Sequence, residues 1–241
     1  MYRSGYVEPC ATHSSVSPYS RSIPDTGILT SLNKNPIYKS KTVVFRLKTE
    51  VIVGIDLAGK QENPTGWALW ENKRVKTSLF YLDNEILAGV AHSKPAIIAI
   101  DAPFTLPKKG IFRKADKEMI RKGYRVFPPG LSAMRKLTLR AMKINKLIAE
   151  KGYKAIEVHP TSTRKALNMP LKDWREIQTI LASIGLEGDL KVRALTPHEI
   201  DAITSALTAY LYMQNQTEAI GDEEEGYITV PKKQDWRELK I

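Results

Sequence analysis

Residues 51–56 read VIVGID, an unbroken apolar run that ends in an acid. A run of this kind predicts a central strand that is buried on both faces. Residues 95–101 repeat the pattern as PAIIAID. In an open parallel sheet, ligands bind beyond the carboxyl ends of the strands, so Asp56 and Asp101 are expected at an edge where chemistry can occur.

The sequence around these two strands predicts a mixed sheet flanked by helices. Apolar and polar side chains alternate over two stretches, 65–70 and 75–82, which therefore predict a hairpin that completes a three-stranded antiparallel meander with the first strand. The fold class is thus α/β, with parallel strands added to the meander. The remaining elements are predicted as a helix over 84–92, a basic helical insertion over about 108–152, a strand over 153–159, and helices over 161–168 and 172–184.

The last long helix has a well-marked beginning. Thr196 can cap it, Pro197 suits its first position, and Glu199 completes a capping box, so we interpret Glu199 as a capping residue. No Lys or Arg occurs between Thr196 and Gln216, which predicts a helix buried against the sheet. Asp201, in the second turn, is therefore expected to face inward.

The composition of the 241 residues is that of an ordinary globular protein. The single cysteine, Cys10, excludes an internal disulfide, and no Cys/His cluster has the spacing of a zinc site, so any metal must be held mainly by oxygen. No membrane span or secretory signal is recognisable, and a cytoplasmic protein is expected. Residues 1–41 are expected to be a disordered or non-native extension, followed by one domain over 42–241.

The positive charge is concentrated in one internal segment. The net charge is +11, and residues 108–146 alone carry 13 basic and 2 acidic side chains. This distribution favours a nucleic-acid partner, although a solvated basic helix pair has the same pattern. The aromatic side chains of the segment, Phe112, Tyr124 and Phe127, either pack or stack on unpaired bases. The side chains expected to contact nucleic acid are Lys60, Arg113, Arg121, Arg125, Arg135, Lys136, Arg140 and Lys143.

Three aspartates are the candidate catalytic groups. A single aspartate at a strand end is usually a turn or capping residue, but Asp56, Asp101 and Asp201 are expected to converge. Two unit charges about 4 Å apart repel by roughly 4 kcal/mol at an effective dielectric near 20, so such a cluster needs a cation or a shared proton. Oxygen ligands favour Mg²⁺ or Mn²⁺, and two such ions are suited to hydrolysis of phosphodiester bonds.

Seven motifs follow one another along the chain: GIDLAG (54–59), TGWA (65–68), AIDAP (99–103), FPPG (127–130), IEVHP (156–160), HEIDAITSALTA (198–209) and GYITVP (226–231). This ordered set resembles the family called domain of unknown function 429, which is regarded as a set of predicted nucleases with an RNase H-like fold. The resemblance implies an RNase H-like mixed sheet, a two-metal mechanism, and catalytic and metal-binding roles for Asp56, Asp101 and Asp201. The placing of His198 before Asp201 is also similar to that in Holliday-junction resolvases of this fold.

Three further side chains have an open interpretation. Glu157 is either a fourth metal ligand or a supporting acid, and His198 either orients a water or phosphate or is bonded locally at its helix start. His159 lies on the same strand face as Glu157, and we interpret it as structural.

Two other functions compete with a nuclease. An ATP-dependent phosphotransferase of the actin and sugar-kinase fold also begins with a G-I-D strand, but the chain has no GG, GxG or P-loop sequence. A nucleic-acid-binding module without catalysis is the other alternative. The choice between DNA and RNA and the oligomeric state stay open.

Overall fold

The computed structural model describes residues 50–241. The predicted extension over residues 1–41 therefore lies outside the described residues, as do Cys10 and the first residues of the predicted domain. Every helix within the described residues is too short or too polar to span a bilayer.

A six-stranded mixed sheet forms the centre of the fold. Its strands are β1 (Val51–Asp56), β2 (Thr65–Glu71), β3 (Arg74–Phe80), β4 (Ile97–Asp101), β5 (Ala155–Glu157) and β6 (Glu187–Gly188). They lie in the order β5-β4-β1-β2-β3-β6. Strands β1, β2 and β3 pair antiparallel, whereas β4 pairs parallel with β1 and with β5. The predicted meander with added parallel strands is confirmed.

Helices cover both faces of this sheet. They are α1 (Asp83–Ser93), α2 (Lys114–Arg121), α3 (Ser132–Glu150), α4 (Pro160–Ala166), α5 (Trp174–Ser183), α6 (Asp189–Val192) and α7 (Pro197–Met213), and a short 3-10 helix spans Trp236–Glu238. One core lies between the sheet, α5 and α7, and a second lies between the sheet, α1 and α3. Buried β-branched residues dominate β1 and β4 because both faces of each strand are covered.

The cap predicted for α7 is confirmed. The Thr196 hydroxyl accepts a hydrogen bond from the Glu199 N–H at 3.3 Å, and the Glu199 carboxylate accepts one from the Thr196 N–H at 2.9 Å. Pro197 occupies the first turn, and most of the helix is buried against the sheet. The apolar composition of α7 thus places it across the strands, as expected.

The structure differs from the sequence prediction after the fourth strand. The predicted strand 153–159 is regular only over β5, because His159 already caps α4 and Val158 makes an isolated bridge to Thr229. That bridge joins the sheet to a hairpin that the sequence prediction lacked, formed by β7 (Thr217–Asp222) and β8 (Gly226–Pro231). The hairpin packs against α2 and α4 and closes one side of the region beyond the strand ends.

Candidate active site

Asp56 and Asp101 end two neighbouring parallel strands in the same register. The two residues are paired across β1 and β4, and neighbouring strands lie about 4.8 Å apart. Alternation along the strands places Ile52 and Ala99 in the core under α7, so the two aspartates, at even spacing from them, face α7 as well. The two carboxylates predicted to lie together therefore share one face of one sheet edge.

Two glycines allow α7 to reach this edge. A Cβ at Gly54 would lie 2.0 Å from the Ala202 carbonyl oxygen, and one at Gly66 would lie 2.0 Å from the His198 carbonyl oxygen. Only a residue without a side chain fits at either position, because the nearest atoms belong to the helix backbone. The close approach brings the first turns of α7, which carry His198 and Asp201, over the ends of β1 and β2.

His198 makes the direct link between α7 and the strand ends. Its Nδ1 donates a hydrogen bond of 2.7 Å to Oδ2 of Asp56. This bond raises the pKa of His198 above its ordinary value, and the nearby charge of Asp201 raises it further. The imidazole is about half exposed, so it is accessible to a ligand at the sheet edge.

The three aspartates repel one another electrostatically. Burial raises the pKa of Asp101 well above its ordinary value, and the charges of Asp56 and then Asp201 raise it further. Burial also raises the pKa of Asp201, a shift that the charge of Arg164 opposes. The cluster thus carries an excess of negative charge around Asp101, which a bound cation would relieve.

Arg164, at the end of α4, is the functional residue that the sequence analysis missed. Its Nη1 contacts Oδ1 of Asp201, its Nη2 donates to the Thr161 hydroxyl at 3.3 Å, and its guanidinium lies 5.2 Å from the centre of the Trp174 ring. The side chain is only 1% exposed, and its Nε has no hydrogen-bond partner among residues 50–241. No sequence signal separates such an arginine from a surface residue of a short helix.

The donor chemistry fits a hard divalent cation, although the side chains are not arranged around one. Three carboxylates that face one sheet edge are the oxygen ligands that Mg²⁺ and Mn²⁺ prefer. Within residues 50–241, no group of three or more His, Cys, Asp and Glu side chains has the geometry of a metal site. Asp56 pairs with His198 and Asp201 pairs with Arg164, so these carboxylates would have to exchange partners to share an ion.

Glu157 is held in an ion pair with Arg113. Because it is in register with Ile100, it leaves the sheet on the face opposite Asp101. Its two oxygens accept hydrogen bonds of 2.9 and 2.6 Å from Arg113, and Oε2 also accepts one of 2.8 Å from the Phe104 N–H. Arg113 bonds in addition to Asp116. Of the two interpretations of Glu157, the structure favours a supporting acid that fixes the loop after β4.

A cavity of about 230 Å³ opens beside Asp56 and Asp101. Its polar end contains the two aspartates together with Glu157 and His159, and its apolar wall includes Phe127 and Met134. The cavity lies beyond the carboxyl ends of β1, β4 and β5, which is where an open parallel sheet binds its ligands. We therefore take this cavity and the aspartates at its end as the candidate active site.

A family model described as "Protein of unknown function (DUF429)" matches residues 54–226, which include all three aspartates. The chain belongs to the DUF429 family. The resemblance inferred from the motifs is thereby confirmed, and the sheet order is that of the predicted RNase H-like fold.

Among solved structures, this DUF429 chain is similar to Thermus thermophilus RuvC in complex with a Holliday junction substrate. The identity is 15%, the match covers 68% of this chain and 96% of that chain, and the TM-score is 0.44. A second RuvC structure from Thermus thermophilus has the same identity and coverage, with a TM-score of 0.42. A comparison with curated proteins finds no match.

The basic residues of this DUF429 chain divide into buried and exposed groups. Arg113 is 1% exposed and belongs to the ion pair with Glu157, so the prediction that it contacts nucleic acid is wrong. The same prediction is wrong for Arg140, which is 9% exposed and donates to the Ala58 and Tyr81 carbonyl oxygens, each at 2.7 Å. Lys143 is exposed but pairs with Asp83 at 3.0 Å. The exposed remainder consists of Lys60, Arg121, Arg125, Arg135 and Lys136.

His159, which lines the cavity, and Glu225, in the turn between β7 and β8, have structural roles. Nδ1 of His159 accepts a hydrogen bond of 3.3 Å from the Ser162 N–H and lies 2.7 Å from the Ser162 hydroxyl, as expected for a structural histidine that caps α4. The acidic turn 222–225 has the composition of a solvated loop, but Glu225 is buried and accepts hydrogen bonds from the Lys108 and Lys114 N–H groups at 2.7 and 2.8 Å. The β7–β8 hairpin therefore fixes the loop that precedes α2.

Proposed function

We propose that this protein is a metal-dependent nuclease that hydrolyses phosphodiester bonds in nucleic acid. The observation that carries the proposal is the meeting of Asp56, Asp101 and α7 at one sheet edge, beside a cavity. An acid at a strand edge whose pKa is raised by burial and by two neighbouring carboxylates, as at Asp101, is typical of a catalytic centre.

Asp56, Asp101 and Asp201 would hold the ions, with Mg²⁺ or Mn²⁺ as the expected metals. Two such ions, when bound, would supply Lewis-acid activation of the attacking water and stabilisation of the leaving oxygen. Burial and then the charges of Asp56 and Asp201 raise the pKa of Asp101, and a bound cation would oppose that shift by favouring the ionised carboxylate. Arg164 would release Asp201 in part and remain close enough to position it.

His198 would act at the substrate rather than as a ligand. Its Nδ1–H is held by Asp56, so Nε2 is the nitrogen that faces outward from this pair. The hydrogen bond to Asp56 raises the pKa of His198 and so favours the protonated ring. A protonated Nε2 would bind a phosphate oxygen or donate its proton to the leaving oxygen.

The exposed cations would hold the nucleic-acid backbone next to these groups. Arg135 and Lys136 lie in the first turn of α3, immediately after the cavity-lining Met134, and Arg125 lies two residues before Phe127. Contacts of this type release counterions and make binding salt-dependent. The exposed cations would therefore bind the nucleic-acid backbone, and the carboxylates at the sheet edge would take part in cutting it.

The proposal is tested by incubating the full chain with single-stranded, duplex, hybrid and branched nucleic acids in Mg²⁺ or Mn²⁺. Cleavage is expected only with metal, and Asp56→Asn is expected to lower the rate at least about 100-fold, as loss of a group that stabilises developing charge does. Glu71→Gln is the matched control, because Glu71 is an exposed acid at the opposite end of β2.

Other outcomes would contradict the proposal. Turnover of ATP in place of cleavage would assign the phosphotransferase activity, and salt-sensitive binding without any turnover would assign a binding module. Cleavage that Asp56→Asn leaves intact would place the catalytic centre elsewhere or reveal a contaminating nuclease.

A further inference from the structure

The Phe127 side chain is exposed to solvent, which is energetically unfavourable for a phenylalanine. Its side chain is 71% exposed on the wall of the candidate active-site cavity, although burial of a phenylalanine stabilises a fold by about 1.5–3 kcal/mol. The residues that follow it, Pro128 and Pro129, are buried, so the loop itself is anchored. The exposed ring is thus presented by a fixed backbone, which points to a ligand that stacks on it.

The cavity has the size and the polarity of a site for one heterocyclic base. Its volume of about 230 Å³ lies just below the roughly 300–1,000 Å³ of pockets for drug-sized ligands, which suits one flat heterocycle. The wall formed by Val126, Phe127, Met134 and Leu137 is apolar and would contact the faces of a flat ring. The polar end, with Asp56 and Asp101, lies where the sugar and phosphate of that nucleotide would continue.

His159 offers a hydrogen-bond donor to the same cavity. Since Nδ1 accepts the Ser162 N–H, the proton of the neutral ring is on Nε2, and no protein group among residues 50–241 is bonded to that nitrogen. Burial lowers the pKa of His159 to about 4, so the ring is neutral at physiological pH. A neutral donor suits a base carbonyl or ring nitrogen.

The charges around the cavity identify what carries the base. Arg125 precedes the stacking ring by two residues, and Arg135 and Lys136 lie between the cavity-lining Met134 and Leu137 in the chain. Arg125, Arg135 and Lys136 are exposed but do not line the cavity itself, and cations on the segments that carry its apolar wall suit the phosphates on either side of an inserted base.

We propose that the cavity binds one unpaired nucleobase, stacked on Phe127, and that the protein therefore selects nucleic acid with an unstacked nucleotide next to the scissile phosphate. The inference rests on the proposed nuclease function for its substrate class. It adds that a continuous duplex binds only through its backbone.

Binding in EDTA tests the inference without any cleavage. The probes are a short mixed-sequence single strand, the same strand with every base replaced by an abasic site, and the corresponding duplex. Phe127→Ala is expected to weaken binding of the single strand by about 5- to 100-fold, the range for loss of one stacked base, and binding of the abasic strand and the duplex by less than about 2-fold. Phe127→Tyr is expected to retain wild-type affinity.

Leu139→Ala is the control, because Leu139 is an exposed apolar residue of α3 outside the cavity lining. An equal loss of affinity for all three probes, or no loss for the single strand, would overturn the base site. Chemical unfolding of each variant separates either result from misfolding, since an exposed ring contributes little to stability. Because the binding assay contains no metal, it can refute the base site while the nuclease proposal stands. Conversely, a failed cleavage assay would leave the binding result for the base site unchanged.

Discussion

Replacement of Gly54 by alanine is expected to disturb the fold and the candidate active site together. The new Cβ would lie 2.0 Å from the Ala202 carbonyl oxygen and 2.6 Å from the Ala206 backbone nitrogen. Ordinary contact begins at 3.4 Å, so α7 must move away from β1 by about 1.4 Å at its closest atom. Backbone atoms of a buried helix cannot rotate out of the way, and overpacking of this kind costs about 1–3 kcal/mol.

The same movement would carry His198 and Asp201 away from Asp56. A misplacement of about 1 Å can lower a catalysed rate by on the order of 100-fold. Loss of the 2.7 Å bond to Asp56 would also return the pKa of His198 toward its ordinary value of 6.5. The free energy of unfolding in urea and the pKa of His198 by NMR titration are therefore expected to fall together.

Gly59→Ala is the matched control for this substitution. Gly59 follows the same strand, and a Cβ there would meet its nearest atoms, in Leu137, at an ordinary 3.4 Å. The reasoning is refuted if Gly54→Ala unfolds within about 0.5 kcal/mol of Gly59→Ala and leaves the His198 titration unchanged. In that event α7 would not be in contact with β1 through this glycine.

Two further predictions concern buried charges. Glu157→Gln is expected to destabilise the protein by about 3 kcal/mol in urea unfolding, because it leaves Arg113 buried with only Asp116 as a charged partner, and a loss below about 1 kcal/mol would contradict the pair. Burial alone would raise the pKa of Glu199, but hydrogen bonds led by that from Arg193 lower it from 4.5 to about 2. The contribution of ionised Glu199 to the free energy of unfolding is thus present above pH 4.5 and is lost as the pH falls toward 2. The stability difference between wild type and Glu199→Gln should therefore close over this interval. A difference that persists at pH 2 would contradict the prediction.

The sequence predicted the carboxylates of the site because their positions follow from local periodicity. Asp56 and Asp101 each end an apolar run, and a parallel pair of such runs must place their last residues side by side. Asp201 was placed by helical periodicity and by the strong cap at Thr196. What the sequence did not predict is the partner of each acid, since Arg164 meets Asp201 across 37 positions and only the fold brings them together.

The hairpin of β7 and β8 was missed for a related reason. The acidic turn between the strands has the composition of a solvated loop, and its role depends on Glu225 meeting the N–H groups of Lys108 and Lys114, more than 100 positions away. A turn that caps a distant loop has the same local pattern as one that caps nothing. The role of this turn in fixing the loop before α2 could therefore not be predicted from the residues of the turn.

The buried arginines change how the net charge of the protein should be interpreted. The sequence of a helix shows which side chains are basic, but not which of them lie under a neighbouring loop. Arg140 is buried because it donates hydrogen bonds to the carbonyl oxygens of Ala58 and Tyr81, at the ends of two loops. Buried or paired cations cannot exchange counterions for phosphates. Of the eight side chains predicted to contact nucleic acid, five are exposed and form no ion pair within residues 50–241, so the slope of log affinity against log salt concentration should not exceed about 4 to 5 in magnitude on duplex DNA. The burial of Arg113 and Arg140 and the pairing of Lys143 thus reduce the positive charge that is available to a nucleic-acid partner.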